Sequence, residues 1–182
     1  MGYVGIIFIP VFFFHFFIIF LESINKIDRF LLVTSYIATF FLGIALFFTN
    51  YFIDGFYKFY WGFYPKAGIL HPIYLILLAV LAFRAVYLFL YGFKKNTIST
   101  NRYFQKKYLL VGLIFYFFAA SDFLVNYGIE FYPFGFVFII FFLAITAYTI
   151  TKYHLFRMEV LLTEFLIGIM GLILFVLPFL MP

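Results

Sequence analysis

Four ionisable residues lie inside long apolar segments of this chain: His15, Arg84, Asp122 and Glu164. An ionised side chain in bilayer hydrocarbon is costly unless it pairs or reaches water, so such residues mark functional sites by default. Arg84 lies roughly 15 Å from the nearer end of its segment, at about 1.5 Å per helical residue. At that depth it would meet Glu164 or His15 more easily than Asp122. We therefore predict an intramembrane polar cluster of Arg84, Glu164 and His15; the alternative is a simple structural tie between helices.

A second candidate site combines Asp122 with an unusually aromatic loop over residues 51–71. Nine aromatic residues lie between Tyr51 and Tyr64. They are explained either by an aromatic belt at the level of the lipid headgroups or by a lid over a ligand pocket. Asp122 would then contact a ligand, or it would simply bond to Ser121, to tyrosines or to backbone. The predicted ligand-binding residues are Trp61, Tyr64, Asp122 and Glu130.

The sequence contains no pattern typical of an enzyme. It has no carboxylate pair at helical spacing, no His-x-x-x-His, no glycine-rich phosphate loop and no nucleophile with a nearby base. Cysteine is absent, which excludes thiolate metal sites and disulfides. The three histidines, His15, His71 and His154, are too far apart in the expected topology to share a metal. We therefore expect no catalytic residues, no metal site and no cofactor in this chain.

The elements that must position these residues are membrane-spanning helices. The chain of 182 residues is 68% hydrophobic and only 10% charged, whereas a soluble domain carries about 25% charged residues. A spanning helix needs about 20 mostly apolar residues. Six segments qualify: 2–21, 30–50, 72–92, 108–126, 134–151 and 160–180. The predicted fold is all-α, a polytopic transmembrane bundle of about six helices, with the lipid bilayer as its main partner.

Basic residues in the loops predict the orientation of the chain. Loops 22–29, 93–107 and 152–159 carry nine Lys and Arg residues, whereas loops 51–71 and 127–133 carry two. Because cytoplasmic loops are enriched in Lys and Arg, the first three loops are predicted to be cytoplasmic and the first helix to enter from outside. The net charge of +5 is explained in this way, without a nucleic-acid partner. The expected location is the cell inner (plasma) membrane.

Four stretches together resemble a known family. They are "IIFIPVFFFHFFIIFLE" (6–22), "YKFYWGFYPKAGILHPIYLI" (57–76), "NYGIEFYPFGFVFI" (126–139) and "AITAYTITKYHLFRMEV" (144–160). They are similar to the third helix, two outer loops and the exit segment of the seven-transmembrane N-terminal sensor region of bacterial sensor histidine kinases. Their order and spacing agree with that region over most of the chain, although no single motif is catalytic or diagnostic.

The resemblance implies a division of the chain into three parts. Residues 1–151 correspond to a partial sensor region of five helices, without the family's first two helices. Residues 152–159 form a cytoplasmic connector, and residues 160–182 form an additional transmembrane helix. Both ends of the sequence are those expected of a fragment, the alternative being a complete small protein, and the family's kinase domain is absent from the sequence.

The function implied by the resemblance is signal transduction. A stimulus from outside or within the membrane, such as a small ligand, would be coupled to a cytoplasmic kinase or cyclase output domain, and a homodimer is a possible assembly. The fifth helix would act as a lever, because residues 136–150 contain no glycine or proline. The predicted output connector comprises Lys152, Tyr153, Leu155, Phe156 and Arg157. The alternatives are a transporter or channel subunit and a non-catalytic membrane scaffold.

Overall fold

The computed structural model of the protein describes residues 3–23, 25–93 and 100–153. Within these ranges the chain forms five α-helices, and a small antiparallel hairpin separates the second helix from the third. A 3₁₀ segment continues the fourth helix. The elements in chain order are α1 (Tyr3–Leu21), α2 (Lys26–Phe48), β1 (Ile53–Phe59), β2 (Gly62–Ala67), α3 (His71–Phe93), α4 (Thr100–Ala119), the 3₁₀ segment (Ala120–Tyr127) and α5 (Gly135–Tyr153).

The all-α class predicted from composition is confirmed. In the described part of the chain, four helical stretches are long and apolar enough to cross a membrane: α2, α3, α4 with the 3₁₀ segment, and α5. Large apolar side chains cover their outward faces, including Phe40, Phe41 and Phe83, each more than half exposed. Such surfaces suit lipid contact rather than water. The sixth predicted segment, 160–180, lies outside the described residues.

Two helices begin earlier than hydropathy predicts. α2 begins at Lys26 rather than at residue 30, because Asn25 caps it: the Asn25 Oδ1 atom accepts a hydrogen bond of 2.8 Å from the Asp28 N–H. α4 begins at Thr100 rather than at residue 108. The polar residues assigned to loop 93–107 therefore include two helical turns, and some of their side chains are buried.

The first turns of α4 supply hydrogen-bond donors to the C-terminal carbonyls of three other helices. Arg102 Nη2 donates to the Phe20 oxygen near the end of α1, at 2.9 Å. Gln105 Nε2 donates to the oxygen of Tyr153, the last residue of α5, at 2.7 Å. Lys106 Nζ lies 3.4 Å from the oxygen of Gly92, near the end of α3. A helix leaves its last carbonyls unpaired, so these donors satisfy groups that hydrocarbon could not.

Pro10 interrupts the hydrogen bonding of α1 and thereby determines a contact with α3. A proline has no N–H, so it cannot donate to the carbonyl four residues earlier. That carbonyl belongs to Ile6, and it accepts a hydrogen bond of 3.0 Å from the hydroxyl of Tyr74. Tyr74 is 1% exposed, so the bond is made inside the bundle. The contact fixes α1 against α3 at the depth of the proline.

Arg84 forms an ion pair with Asp28, a residue of the predicted loop 22–29. Arg84 Nε lies 2.7 Å from Asp28 Oδ1, and the Asp28 side chain is fully buried. Asp28 Oδ2 accepts a further hydrogen bond of 2.8 Å from Ser23. The first turn of a helix favours a carboxylate, so Asp28 is held by α2 as well as by Arg84. The pair lies at the end of the bundle that also contains the three caps from α4, hereafter the charged end.

Of the other two predicted members of the polar cluster, the structure describes only His15. His15 Nδ1 is 2.9 Å from the hydroxyl of Tyr36, which ties α1 to α2. Glu164 lies outside the described residues, so its pairing with Arg84 stays a prediction. Asp28 was not among the candidates for this cluster, because α2 was predicted to begin after it and Asp28 was therefore placed outside the membrane-spanning segments.

We expect Arg84→Met to lower the free energy of unfolding by about 3 kcal/mol, because it leaves the buried Asp28 charge without its cation. Reversible denaturation in detergent micelles measures this change. The double variant with Asp28→Asn should lose less than the sum of the two single changes.

The exposed pair of Lys66 and Asp54 provides the matched control, since its removal should change stability little. Additive effects of Arg84→Met and Asp28→Asn would contradict the pairing. The same cycle with Glu164 tests the cluster predicted from sequence.

Candidate functional site

A cavity of about 820 Å³ lies at the opposite end of the bundle, beside the hairpin. This volume falls within the range of small-molecule sites, about 300–1,000 Å³. Every described helix and both strands contribute to its wall. Most of the lining is aliphatic or aromatic, and the polar side chains in it are Tyr3, Tyr64, Tyr116 and Asp122.

The aromatic loop predicted between the second and third spans is an antiparallel hairpin. Tyr57 pairs with Tyr64 and Phe59 with Gly62, so Tyr60 and Trp61 form the turn. Aromatic residues occupy both faces of the strands, so the sequence lacks the alternation of apolar and polar residues that predicts a strand. Four hairpin residues line the cavity: Ile53, Phe56, Tyr64 and Pro65. This position is the one expected of a lid, while ligand binding itself stays a prediction.

Asn126 attaches the hairpin to the helices around the cavity. Its Nδ2 donates to the Pro65 oxygen at 2.9 Å and also to the hydroxyl of Tyr3. Asn126 is 1% exposed. Gly128 follows in the left-handed conformation, with φ of 86°, and ends the 3₁₀ segment. One amide side chain thus joins the start of α1, the hairpin and the 3₁₀ segment.

His71, the first residue of α3, lies in an aromatic cluster beside the cavity. Its ring centroid lies 5.5–6.2 Å from five aromatic rings. The rings belong to Tyr3, Phe52, Tyr74, Phe123 and Tyr127. His71 Nδ1 is 2.9 Å from the Tyr127 hydroxyl, and Nε2 has no hydrogen-bond partner among the described residues. The cluster packs the start of α3 against the 3₁₀ segment and the hairpin.

Asp122 lines the cavity and also caps α5. Its Oδ1 atom accepts a hydrogen bond of 2.8 Å from the N–H of Gly135, the first residue of α5. Phe134, the residue before the helix, has no side-chain acceptor, so the cap comes from another element. The positive end of the helix dipole stabilises the negative charge of the carboxylate.

Gly135 is required at this position because the carboxylate approaches so closely. A Cβ atom built on residue 135 would overlap the Asp122 carboxylate and the Ala119 carbonyl oxygen. In the sequence, Gly135 belongs to a Tyr-Pro-x-Gly stretch at the start of the predicted segment 134–151. Nothing in that stretch indicates that the Asp122 carboxylate caps the helix.

The predicted ligand-binding residues fall into three positions. Tyr64 and Asp122 both line the cavity, and the Tyr64 hydroxyl lies 3.4 Å from the Asp122 carbonyl oxygen. Trp61 does not line the cavity, but its ring contacts that of Tyr64 with a centroid distance of 5.6 Å. Glu130 is exposed and lies away from the lining. The fold therefore brings two of the four residues to the cavity wall, Tyr64 from the hairpin and Asp122 from the 3₁₀ segment.

The electrostatics of Tyr64 keep its hydroxyl protonated. Burial raises the pKa of Tyr64 well above its ordinary value, and repulsion of the phenolate by the neighbouring Tyr3 and Asp122 raises it further. The hydroxyl is therefore a neutral hydrogen-bond donor throughout the physiological range. Tyr3 and Tyr116 also line the cavity, and neither was singled out from sequence because each lies within an apolar run. Their sequence spacing carries no signal that they converge.

The predicted output connector is described only at its start. Tyr153 stacks on Phe104 and Tyr108 of α4, with centroid distances of 5.3 and 5.5 Å. Lys152 Nζ lies 5.1 Å from the centroid of the Tyr148 ring. α5 therefore ends against α4 rather than in a free loop. Leu155, Phe156 and Arg157 lie outside the described residues.

The chain matches no protein-family model, no curated protein and no solved structure. Within residues 3–23, 25–93 and 100–153, no group of three His, Cys, Asp or Glu residues is placed to hold a metal ion. Evidence for function therefore comes from the cavity and from its contacts with α5.

We expect Gly135→Ala to lower the free energy of unfolding by about 1–3 kcal/mol, because the added methyl group displaces the Asp122 carboxylate. Chemical denaturation in micelles measures the change. Gly43→Ala in α2 is the control: its Cβ would lie 3.8 Å from the Phe8 ring, an ordinary contact. That variant should gain about 0.5–1 kcal/mol, since alanine favours a helix interior. Equal effects at the two glycines would contradict the close approach of Asp122.

Proposed function

We propose that this chain is a membrane-embedded sensory module. The cavity beside the hairpin receives the stimulus, and α5 carries the change to the cytoplasmic segment that follows it. An output domain of the kinase or cyclase type acts on that segment, as the resemblance to bacterial sensor kinases implies. The chain itself performs no catalysis in this proposal.

The observation that carries the proposal is the double role of Asp122. The same carboxylate faces the cavity and caps α5 through the Gly135 N–H, at 2.8 Å. A ligand that bonds to Asp122 competes with the helix cap or reorients it. Ligand binding and the position of α5 are therefore linked by one hydrogen-bonded group, and a ligand that favours one arrangement shifts the equilibrium between the two.

Two features of the fold support transmission along α5. α5 is hydrogen-bonded at its start by Asp122 and at its end by Gln105, both from the continuous helical stretch 100–127. That stretch changes from α-helix to 3₁₀ helix between Ala119 and Ala120, and both alanines line the cavity. This 3₁₀ run of eight residues is unusually long, since such runs rarely exceed about 3–4 residues. The change in helix type lies where a ligand would press on it.

The transporter or channel alternative requires a polar route through the bundle. Among the described residues, buried apolar side chains of α1, α3 and α4 lie between the cavity and the charged end, including Phe14, Phe17, Leu81 and Leu109. This apolar packing provides no polar route through the described part of the bundle, so it favours the sensory module over a transporter or channel. Solute flux through purified protein in liposomes would support transport instead.

For its location we propose the plasma membrane, with the hairpin outside and the charged end in the cytoplasm. The absence of cysteine makes single-cysteine labelling direct. Asp54→Cys on the hairpin should react with a membrane-impermeant maleimide added to intact cells. Lys107→Cys at the start of α4 should react only after permeabilisation. The reverse pattern would overturn this orientation.

We predict that Asp122→Ala displaces the end of α5. Spin labels at Lys26→Cys and Thr151→Cys, both exposed positions of the charged end, report the distance between α2 and α5 in lipid nanodiscs. Loss of the cap should shift this distance by about 2 Å or create a second population, the scale of known helix shifts in switching proteins.

Asp54→Ala removes an exposed carboxylate of the hairpin that does not line the cavity, so it is the matched control and should leave the distance unchanged. An unchanged distribution in Asp122→Ala, with the labelled protein folded, would remove the coupling between cavity and helix.

A further inference from the structure

We propose that the ligand of the cavity is a lipophilic amine, with an apolar body in the cavity and its protonated amino group at Asp122. This inference rests on the proposed function for its biological meaning, although binding can be measured without it. It follows from the charge of the lining, from the partners of the other carboxylates and from the shape of the apolar wall.

Among the described residues that line the cavity, there is one carboxyl group, that of Asp122, and no basic side chain. Tyr3, Tyr64 and Tyr116 add only hydroxyl groups to this lining. An anionic headgroup would therefore meet a carboxylate without any compensating cation. A cationic headgroup would meet an acceptor that gains strength as water is excluded.

Each of the other described carboxylates is either paired with a basic side chain or exposed, whereas Asp122 is neither. Three of them have a basic partner within 4 Å, through the ion pairs Lys66–Asp54, Arg84–Asp28 and Arg102–Glu22. Glu130 is exposed to the surroundings. Asp122 is partly buried, and within the described residues its side chain has one hydrogen-bond donor, the Gly135 N–H at Oδ1. Its Oδ2 atom is left to accept from a ligand.

The remainder of the wall selects an apolar body of moderate size. Aromatic rings from α1, the hairpin and α5 line the cavity, among them Phe13, Phe56 and Phe142. Such rings accommodate acyl or fused-ring groups, and their faces also attract an ammonium ion. The volume of about 820 Å³ leaves room for one chain rather than for a complete two-chain phospholipid. A single-chain or compact amphiphile with an amino group satisfies all three features.

The experiment compares dodecylamine, dodecanol and dodecanoate in phosphatidylcholine nanodiscs that contain the whole chain. Trp61 is the single tryptophan of the protein and contacts Tyr64 of the cavity wall, so its fluorescence reports occupancy. We expect saturable binding of dodecylamine at least tenfold tighter than that of dodecanol, and weaker binding of dodecanoate. A charged hydrogen bond is worth on the order of this factor.

Three variants locate the preference. Asp122→Asn keeps an oxygen acceptor for the Gly135 N–H, so the fold should persist while the amine falls to the affinity of the alcohol. Ala119→Phe fills the cavity and should weaken binding of both probes. Asp54→Asn, an exposed carboxylate on the hairpin, controls for general attraction of cations and should leave the amine-to-alcohol ratio unchanged.

Butylamine separates a lipid source from a soluble one. Weak binding of butylamine beside tight binding of dodecylamine supports a membrane-resident amine. Equal affinities for the two amines would overturn the claim that the apolar wall selects an apolar body.

Two further outcomes would overturn the proposal: equal affinity of amine and alcohol in the parent protein, or a preference that survives in Asp122→Asn. The spin-label distance between α2 and α5 distinguishes this failure from failure of the proposed function. An amine that binds through Asp122 without moving α5 retains the inference and removes the sensory role. Movement of α5 in Asp122→Ala without any amine preference does the opposite.

Discussion

Polar groups inside an apolar bundle must find partners within the protein, because hydrocarbon offers none. The helical stretch 100–127 meets this requirement at both of its ends. Its first turns donate to the final carbonyls of α1, α3 and α5 through Arg102, Gln105 and Lys106. Its last turns carry Asp122, which accepts from the start of α5, and Asn126, which holds the hairpin. One stretch of helix thus organises the charged end and the cavity.

This arrangement gives α5 a particular position in the molecule. Its contacts with α4 are aromatic along one face, as at Tyr108 and Tyr148, and its two termini are hydrogen-bonded to the same neighbour. A change at Asp122 therefore alters the start of a helix whose end is bonded to Gln105. The 3₁₀ segment carries Asp122 and borders the cavity together with the last turn of α4. The continuous helical stretch 100–127 thus connects the cavity with the charged end of the bundle.

Hydropathy predicted most spans well and the polar connections poorly. The third segment, predicted at 72–92, is observed as His71–Phe93, because long apolar runs bounded by proline and charge leave little choice. α4 was predicted to begin eight residues too late, since Lys and Arg were counted as loop charges. Arg102, Gln105 and Lys106 have the spacing i, i+3, i+4 of one helix face, and that pattern would have revealed the longer helix. The hairpin escaped prediction because aromatic residues occupy both of its faces.

The sequence by itself determined the class of the protein, the approximate spans and the candidacy of Arg84, Tyr64 and Asp122. Runs of apolar residues and the charged residues within them suffice for the spans and for Arg84 and Asp122, because the cost of a polar group in hydrocarbon acts on each residue separately. Only the tertiary structure decided which groups meet: Arg84 with Asp28, 56 residues away, and Asn126 with Tyr3, 123 residues away. Such pairs depend on which helix faces pack together and on where each helix begins. A shift of a few residues in the start of α2 or α4 exchanges one set of partners for another.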